Sequence, residues 1–150
     1  MKTTAAAVKT AVAATLIAAG ITAPATVRAD DVPSVDQVVA IMAALTDPDR
    51  PAASKTDIVT PGFSPDEAGT IDDHLNQERI HLPLNFVVTD IQPAPNNSAG
   101  ATVATAGSPK RSSYAAPIVL VDQGGHWLIT HDTAMAELNT FWREATRYRK

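Results

Sequence analysis

Between Leu82 and His131 the apolar residues fall into four short runs separated by Pro, Gly and Asn, whereas the segments on either side repeat apolar positions at helical spacing. Val35, Val38, Val39, Met42 and Leu45 form one stripe after Ser34, whose hydroxyl and the Gln37 amide three residues on make a capping box. This predicts a helix from about Val35 to Thr46, stopped by Pro48 and Pro51. Ala52 to Thr60 reads as one short helical turn with Ile58 and Val59 turned inward. Ser64-Pro65-Asp66-Glu67 opens a second helix, expected to run to about Arg79. It buries Ala68, Ile71 and Leu75 and leaves Asp72, Asp73, Asn76, Gln77 and Glu78 mainly in water.

The runs that follow alternate in the manner of strands. Leu84 to Ile91 places Leu84, Phe86 and Val88 on one face and Val87, Thr89 and Ile91 on the other. Pro93 to Gly100 reads as a wide polar turn, with Asn96-Asn97-Ser98 taken as turn rather than as a glycosylation acceptor. Ala101 to Ala106 and Ile118 to Val121 follow as strands, and Gln123-Gly124-Gly125 makes a tight hairpin into Trp127 to Thr130. Short connections imply an antiparallel meander. The expected fold is α+β, with N-terminal helices packed on a curved four-stranded antiparallel sheet and a C-terminal helix. That last helix, capped by Asp132 or Thr133, carries Met135, Leu138, Phe141, Trp142 and Ala145 on its apolar side. Two readings of its end stay open: a core helix whose Arg143, Arg147, Arg149 and Lys150 complement the dipole, or a basic aromatic tail, with Trp142 and Tyr148, that touches an anionic surface. Because both sheet faces carry apolar side chains, the face not covered by the first two helices is left for the C-terminal segment or for a second subunit, which allows a homodimer.

The N-terminus changes the picture of where the chain works. Lys2 and Lys9 precede an uncharged apolar run, Ala11 to Ile21, about half the roughly 20 residues that a membrane-spanning helix needs. Val27-Arg28-Ala29 fits the small-residue rule for signal peptidase, so cleavage is expected between Ala29 and Asp30, in preference to Ala23-Pro24-Ala25. Residues 1–29 are thus read as a cleaved signal peptide and 30–150 as a single domain, secreted and without a transmembrane segment in the mature form. The cut removes three of twelve basic residues against sixteen acidic ones, bringing a net charge of −4 to about −7. Such a chain lacks the basic face that nucleic-acid binding requires. It also has no cysteine, so neither a disulfide framework, a thiol nucleophile nor a lipid-modified cysteine is available.

Leu82 to Ala94, reading LPLNFVVTDIQPA, resembles the mycobacterial secreted low-molecular-weight (culture-filtrate) antigen family. Asp47-Pro48, Pro109-Lys110 with Ser112-Ser113, Val121-Asp122-Gln123-Gly124-Gly125 with Trp127, and Ala134-Met135 extend the likeness in order over about Ser34 to Leu138. The resemblance implies an exported protein, extracellular or cell-wall associated, that is recognised by host immunity and has no established enzyme activity, metal or cofactor. It transfers no catalytic residues. Two departures stand out: His126 displaces the tryptophan that follows the glycine pair directly in the family, and the chain continues further as Asn139 to Lys150. The element order is also similar to a nuclear-transport-factor-two-like or cystatin-like cone, a likeness of architecture that carries no function.

Tested for chemistry, the residues offer little. His74 and Glu78 share a helical face, but His81 falls where the helix ends, and no fourth metal ligand is at hand. Within a cone, Asp90, Asp122, His126, His131 and Tyr114 are the groups to consider as a general base. No phosphate loop, dinucleotide fingerprint or Gly-x-Ser-x-Gly is present. The leading expectation is a non-catalytic protein acting through its surface on an unidentified protein or cell-envelope partner. The alternative is a carrier of a small apolar ligand, held in a pocket lined by Phe86, Val88, Leu120 and Trp127.

Overall fold

The structure is a computed structural model, which describes residues 32–106 and 115–147. The first helix, α1 (Val35–Leu45), begins as its sequence dictates: the Gln37 N–H donates to Ser34 Oγ at 3.2 Å, and the Ser34 N–H donates back to Gln37 Oε1 at 2.8 Å. It buries Val38, Ile41, Met42 and Leu45, while Val35 stays exposed. A 3₁₀ segment, Ala52–Asp57, follows and leads into a short strand, β1 (Val59–Thr60). The second helix, α2 (Pro65–Gln77), has the same reciprocal cap between Ser64 and Glu67 and buries the expected Ala68, Ile71 and Leu75. It ends two residues earlier than its stripe implies. Glu78 caps it and is buried, rather than solvated, where the chain tightens into a 3₁₀ turn at Arg79–His81. Asp72 is not in open water either, since its Oδ1 accepts the Ala52 N–H at 2.8 Å and ties α2 to the 3₁₀ segment.

The sheet departs from expectation in number and direction. Strands β2 (Asn85–Ala94), β3 (Ser98–Ala106), β4 (Ala115–Asp122) and β5 (Trp127–Thr130) form the antiparallel meander, but β1 adds a fifth strand, parallel to β5, giving the order β1-β5-β4-β3-β2. The sheet is therefore mixed and five-stranded. The missed strand is two branched residues long, too short to show a period. It is held by register with Ile129 and Thr130 and by the Ile129 N–H donating to Ile58 O at 2.8 Å. The expected wide turn is a three-residue link, Pro95-Asn96-Asn97, in which both asparagines take positive φ (61° and 54°), a region that Asn tolerates better than most residues. At the other hairpin Gly124 and Gly125 supply the positive angles, φ 66° and 89°.

A bulge resets the pattern within β2. Thr89 faces Thr102 and Gln92 faces Gly100, so Asp90 and Ile91 together oppose Ala101, with Asp90 at φ 54°. This single extra residue flips the alternation, and Ile91 packs on the same apolar cluster as Phe86 and Val88 instead of opposite them.

The last helix, α3 (His131–Arg147), starts immediately after β5, ahead of the expected caps; the Thr130 hydroxyl donates to Thr133 Oγ1 at 2.7 Å. Its Ala134, Leu138 and Phe141 join the same cluster as Val38, Ile71 and Leu120. The C-terminal segment thus adds to the core on the helix-covered side, and the opposite sheet face keeps Val87 and Val119 about half exposed (50% and 43%). Phe141 and Ala145 are buried, which makes this stretch a core helix; Tyr148, Arg149 and Lys150 lie outside the described residues, as do Ala29, Asp30 and the whole expected signal. No helix among the described residues is long and apolar enough to cross a membrane.

Gly69 lies in the middle of α2, exposed, with nothing within 4 Å of the position its Cβ would occupy. Gly69→Ala removes backbone freedom from the unfolded chain without a clash, so it is expected to raise the unfolding free energy by about 0.5–1 kcal/mol in urea denaturation. A loss of stability would mean that this face of α2 is covered.

Candidate functional site

The helix-covered side of the sheet is closely packed. Val88, Leu120 and Trp127 are 8%, 0% and 8% exposed and pack among α1, α2 and α3 side chains, which leaves no room for the ligand pocket expected there; Phe86 packs against the same cluster. A cleft of about 530 Å³ opens elsewhere, where the end of α1, the Asp47–Asp49 turn, the 3₁₀ turn and the approach to β2 meet. Ala43, Ala44, Pro48, Leu82, Pro83 and Leu84 give it apolar walls, and Thr46, Asp47, Asp49 and Arg79 supply its polar groups. The volume lies within the range of small-molecule and peptide-anchor sites.

Local sequence accounts for each wall. Helix α1 cannot continue into Pro48, and the Asp47 carboxylate accepts the Asp49 N–H at 2.9 Å, an Asx turn that swings Asp49 outward. Arg79 reaches across, donating from Nη1 to Asp49 Oδ1 at 2.7 Å and from Nη2 to Asn76 Oδ1 at 3.0 Å. The carboxylate of Asp49 nevertheless stays 77% exposed, so it has accepting capacity left at the mouth. Leu82 is extended and enters a cis peptide bond to Pro83, and Leu84 runs straight into β2.

Beneath the turn sits a group that pattern reading does not find. Lys55 is fully buried, and its Nζ donates to Leu45 O at 2.7 Å and to Asp47 O at 3.1 Å, capping the C-terminus of α1. Burial lowers its pKa to about 8, against the opposing pull of Asp47 and Asp72. The stretch Ala52–Asp57 gives no periodic sign of this, because a lysine among Ala, Ser, Thr and Asp reads as surface.

The other sequence candidates do not converge. His74 packs against Trp142 at 4.3 Å between ring centroids, while His81 Nε2 lies 3.6 Å from Glu78 Oε2, so two of the three expected metal candidates face each other and the third turns to an aromatic ring. Among the described residues no three His, Cys, Asp or Glu side chains gather as metal ligands. Asp90 is exposed at the bulge and accepts from the Thr89 hydroxyl; Asp122 accepts the Gly125 N–H at 2.7 Å and so serves the hairpin. Exposed His126 borders a smaller cavity of about 220 Å³ beside Trp127, and Tyr114 lies outside the described residues. His131 places Nε2 3.2 Å from Glu67 Oε1 and Nδ1 3.4 Å from Asp132 Oδ1, with Phe63 tilted against its ring at 5.8 Å. Partial burial works to lower its pKa, but the two carboxylates outweigh it and the net shift is upward. Glu67 is pushed down, first by the Ser64 N–H it accepts in the cap and then by Ser64 Oγ and His131. This pair links the starts of α2 and α3. A broader depression of about 630 Å³ is lined by Ala136, Asn139, Thr140, Trp142, Arg143 and Thr146, all from α3, and is the outer surface of one helix rather than an enclosed site.

Comparison with known proteins places the chain in context. Residues 31–143 match the model of the C-terminal domain of low molecular weight antigen MTB12. Low molecular weight antigen MTB12 of Mycobacterium bovis and that of Mycobacterium tuberculosis are each 37% identical over 109 residues, 71% of this chain and 64% of theirs. The MTB12 homolog of Mycobacterium leprae is 30% identical over 117 residues, 77% of this chain and 70% of its own. The chain therefore spans just under two thirds of the length of the first two relatives.

Proposed function

Since this chain belongs to the low molecular weight antigen MTB12 family, matching its C-terminal domain, we propose that it is an exported protein that acts without catalysis, by holding a protein or cell-envelope partner in the cleft between α1 and the approach to β2. One observation carries the reading. The cleft joins apolar walls to a polar mouth, but its ionisable side chains, Asp47, Asp49 and Arg79, are engaged with one another and with the backbone instead of being poised around a reacting atom. Two blocks that bear the family resemblance, Asp47-Pro48 and Leu82-Pro83-Leu84, meet in its lining. Export rests on the charged start, the apolar run and the cleavage pattern at Ala29 and Asp30, which leave residues 30–150 as the working domain. The exposed sheet face at Val87 and Val119 supports a homodimer as a further assembly. The cone comparison rests on α1 and α2 preceding an antiparallel meander.

The apolar walls also favour a second reading, in which the same cleft carries a small apolar ligand. Native mass spectrometry of the protein collected from its host's culture medium separates the two. A chain beginning at Asp30 and free of small-molecule mass is the expected result. A bound mass would move the assignment to the carrier. Retention in cells as a chain starting at Met1 would overturn export.

A further inference from the structure

Strand β2 is the last strand of the sheet among the described residues, so its outer side has no strand partner there. Sheet edges of this kind are usually guarded by charges, prolines or bulges. In β2 those guards lie in the second half: the bulge with Asp90 at φ 54°, then Pro93. The first half, Asn85 to Thr89, is straight in register with β3, carries no charge and no proline, and reads NFVVT, residues of high strand preference apart from Asn85. Asn85, Val87 and Thr89 are exposed. This stretch, without a strand partner among the described residues, is continuous with the cleft, since Leu82, Pro83 and Leu84 line one and lead directly into the other.

Resting on the cleft reading above, we propose that the occupant is an extended peptide segment of a partner protein, which adds as an antiparallel strand to Asn85–Thr89 and seats a basic side chain at its carboxyl end against the cleft mouth. The direction follows from two facts. Antiparallel pairing is the more stable arrangement, and the cleft sits at the amino end of β2, so the peptide's carboxyl end arrives there. The sign follows from Asp49, whose carboxylate is 77% exposed at the mouth, while Arg79 is already held by Asp49 and Asn76; the chain as a whole is acidic. The bulge at Asp90 limits the added strand to about five residues.

The probe is the acetylated, amidated hexapeptide TVTVTR, with TVTVTE and the reversed RTVTVT as controls, titrated into the isotope-labelled protein and followed by amide shifts and hydrogen exchange. TVTVTR is expected to bind about five- to tenfold more tightly than TVTVTE, the effect of exchanging one exposed charge pair for repulsion. It should slow amide exchange along Asn85–Thr89 and shift Leu82 and Leu84. Ala43→Trp, which fills the cleft from an exposed helix position, should weaken binding, and Asp49→Lys should invert the preference between the two peptides. Shifts confined to the cleft, with no protection on β2, would overturn strand addition and leave the cleft reading standing. Protection on β2 unaffected by Ala43→Trp would overturn the cleft reading. Equal binding of RTVTVT would overturn the antiparallel direction, and no binding of any peptide at millimolar concentration would overturn the inference as a whole.

Discussion

Phe141→Ala is expected to lower the unfolding free energy by about 3–5 kcal/mol, the usual cost of removing a buried aromatic ring and leaving its cavity. Phe141 is 3% exposed and belongs to the buried cluster that also holds Val38, Ile71 and Leu120, one residue from each of α1, α2 and the sheet. Such a loss is a large part of the stability of a domain of this size, which has no cysteine and hence no disulfide to fall back on. Arg147, by contrast, has a side chain 71% exposed and pairs with Glu144 one turn earlier; Arg147→Ala should change stability by less than about 0.5 kcal/mol. Urea denaturation of the two variants measures both. If Phe141→Ala unfolded at the same midpoint as the parent, the last helix would be a surface appendage, and the reading of a membrane-seeking tail would return.

The second large effect is one of pH. Lys55 is buried with a pKa near 8, whereas in the unfolded chain it titrates near 10.5. Below pH 8 both states hold the proton and the native state carries the full cost of a buried charge. Between pH 8 and 10.5 the native lysine releases its proton while the unfolded one retains it, so this group makes the protein more stable as pH rises through that window. The displacement corresponds to roughly 3 kcal/mol. A neutral amine still has two hydrogens for Leu45 O and Asp47 O, so the helix cap survives deprotonation. Lys55→Met keeps the stem but has no proton to lose, and it leaves both carbonyls without that donor. The wild-type advantage over Lys55→Met should therefore grow by about 3 kcal/mol between pH 7 and pH 11 in matched denaturation curves. An advantage that stays flat with pH would show that the buried amine keeps an ordinary pKa.

What could be read from the sequence was whatever depends on neighbours a few residues apart. Both capping serines, the stripe of α2, the two-glycine turn and the bounds of β5 depend on chemistry within one turn or one hairpin. What could not be read depends on distant contacts. Val59–Thr60 becomes a strand only because Ile129 and Thr130 present an edge to it. The bulge at Asp90 uses a non-glycine residue in the left-handed region, so no glycine announces the change of phase that brings Ile91 into the core. Lys55, Glu78 and Glu137 are buried ionisable residues, and a residue-type scale ranks all three as surface. For the cleft, the sequence supplied the wall residues Leu82, Pro83 and Leu84 and the helix stop at Asp47-Pro48. That they face one another across it is a product of packing between elements.

The parallel pairing of β1 with β5 also bears on how the chain reaches its fold. The hairpins from β2 to β5 join strands close in sequence, but Val59 must find Ile129 seventy positions later. Closing so long a loop yields only a two-residue ladder, so it offers little reward until the meander already exists. On loop-closure grounds the ladder between β1 and β5 is expected to form after the meander it joins. A chain truncated before Ile129 would leave Val59 without its strand partner and present an unfinished sheet and an orphaned apolar segment to its neighbours.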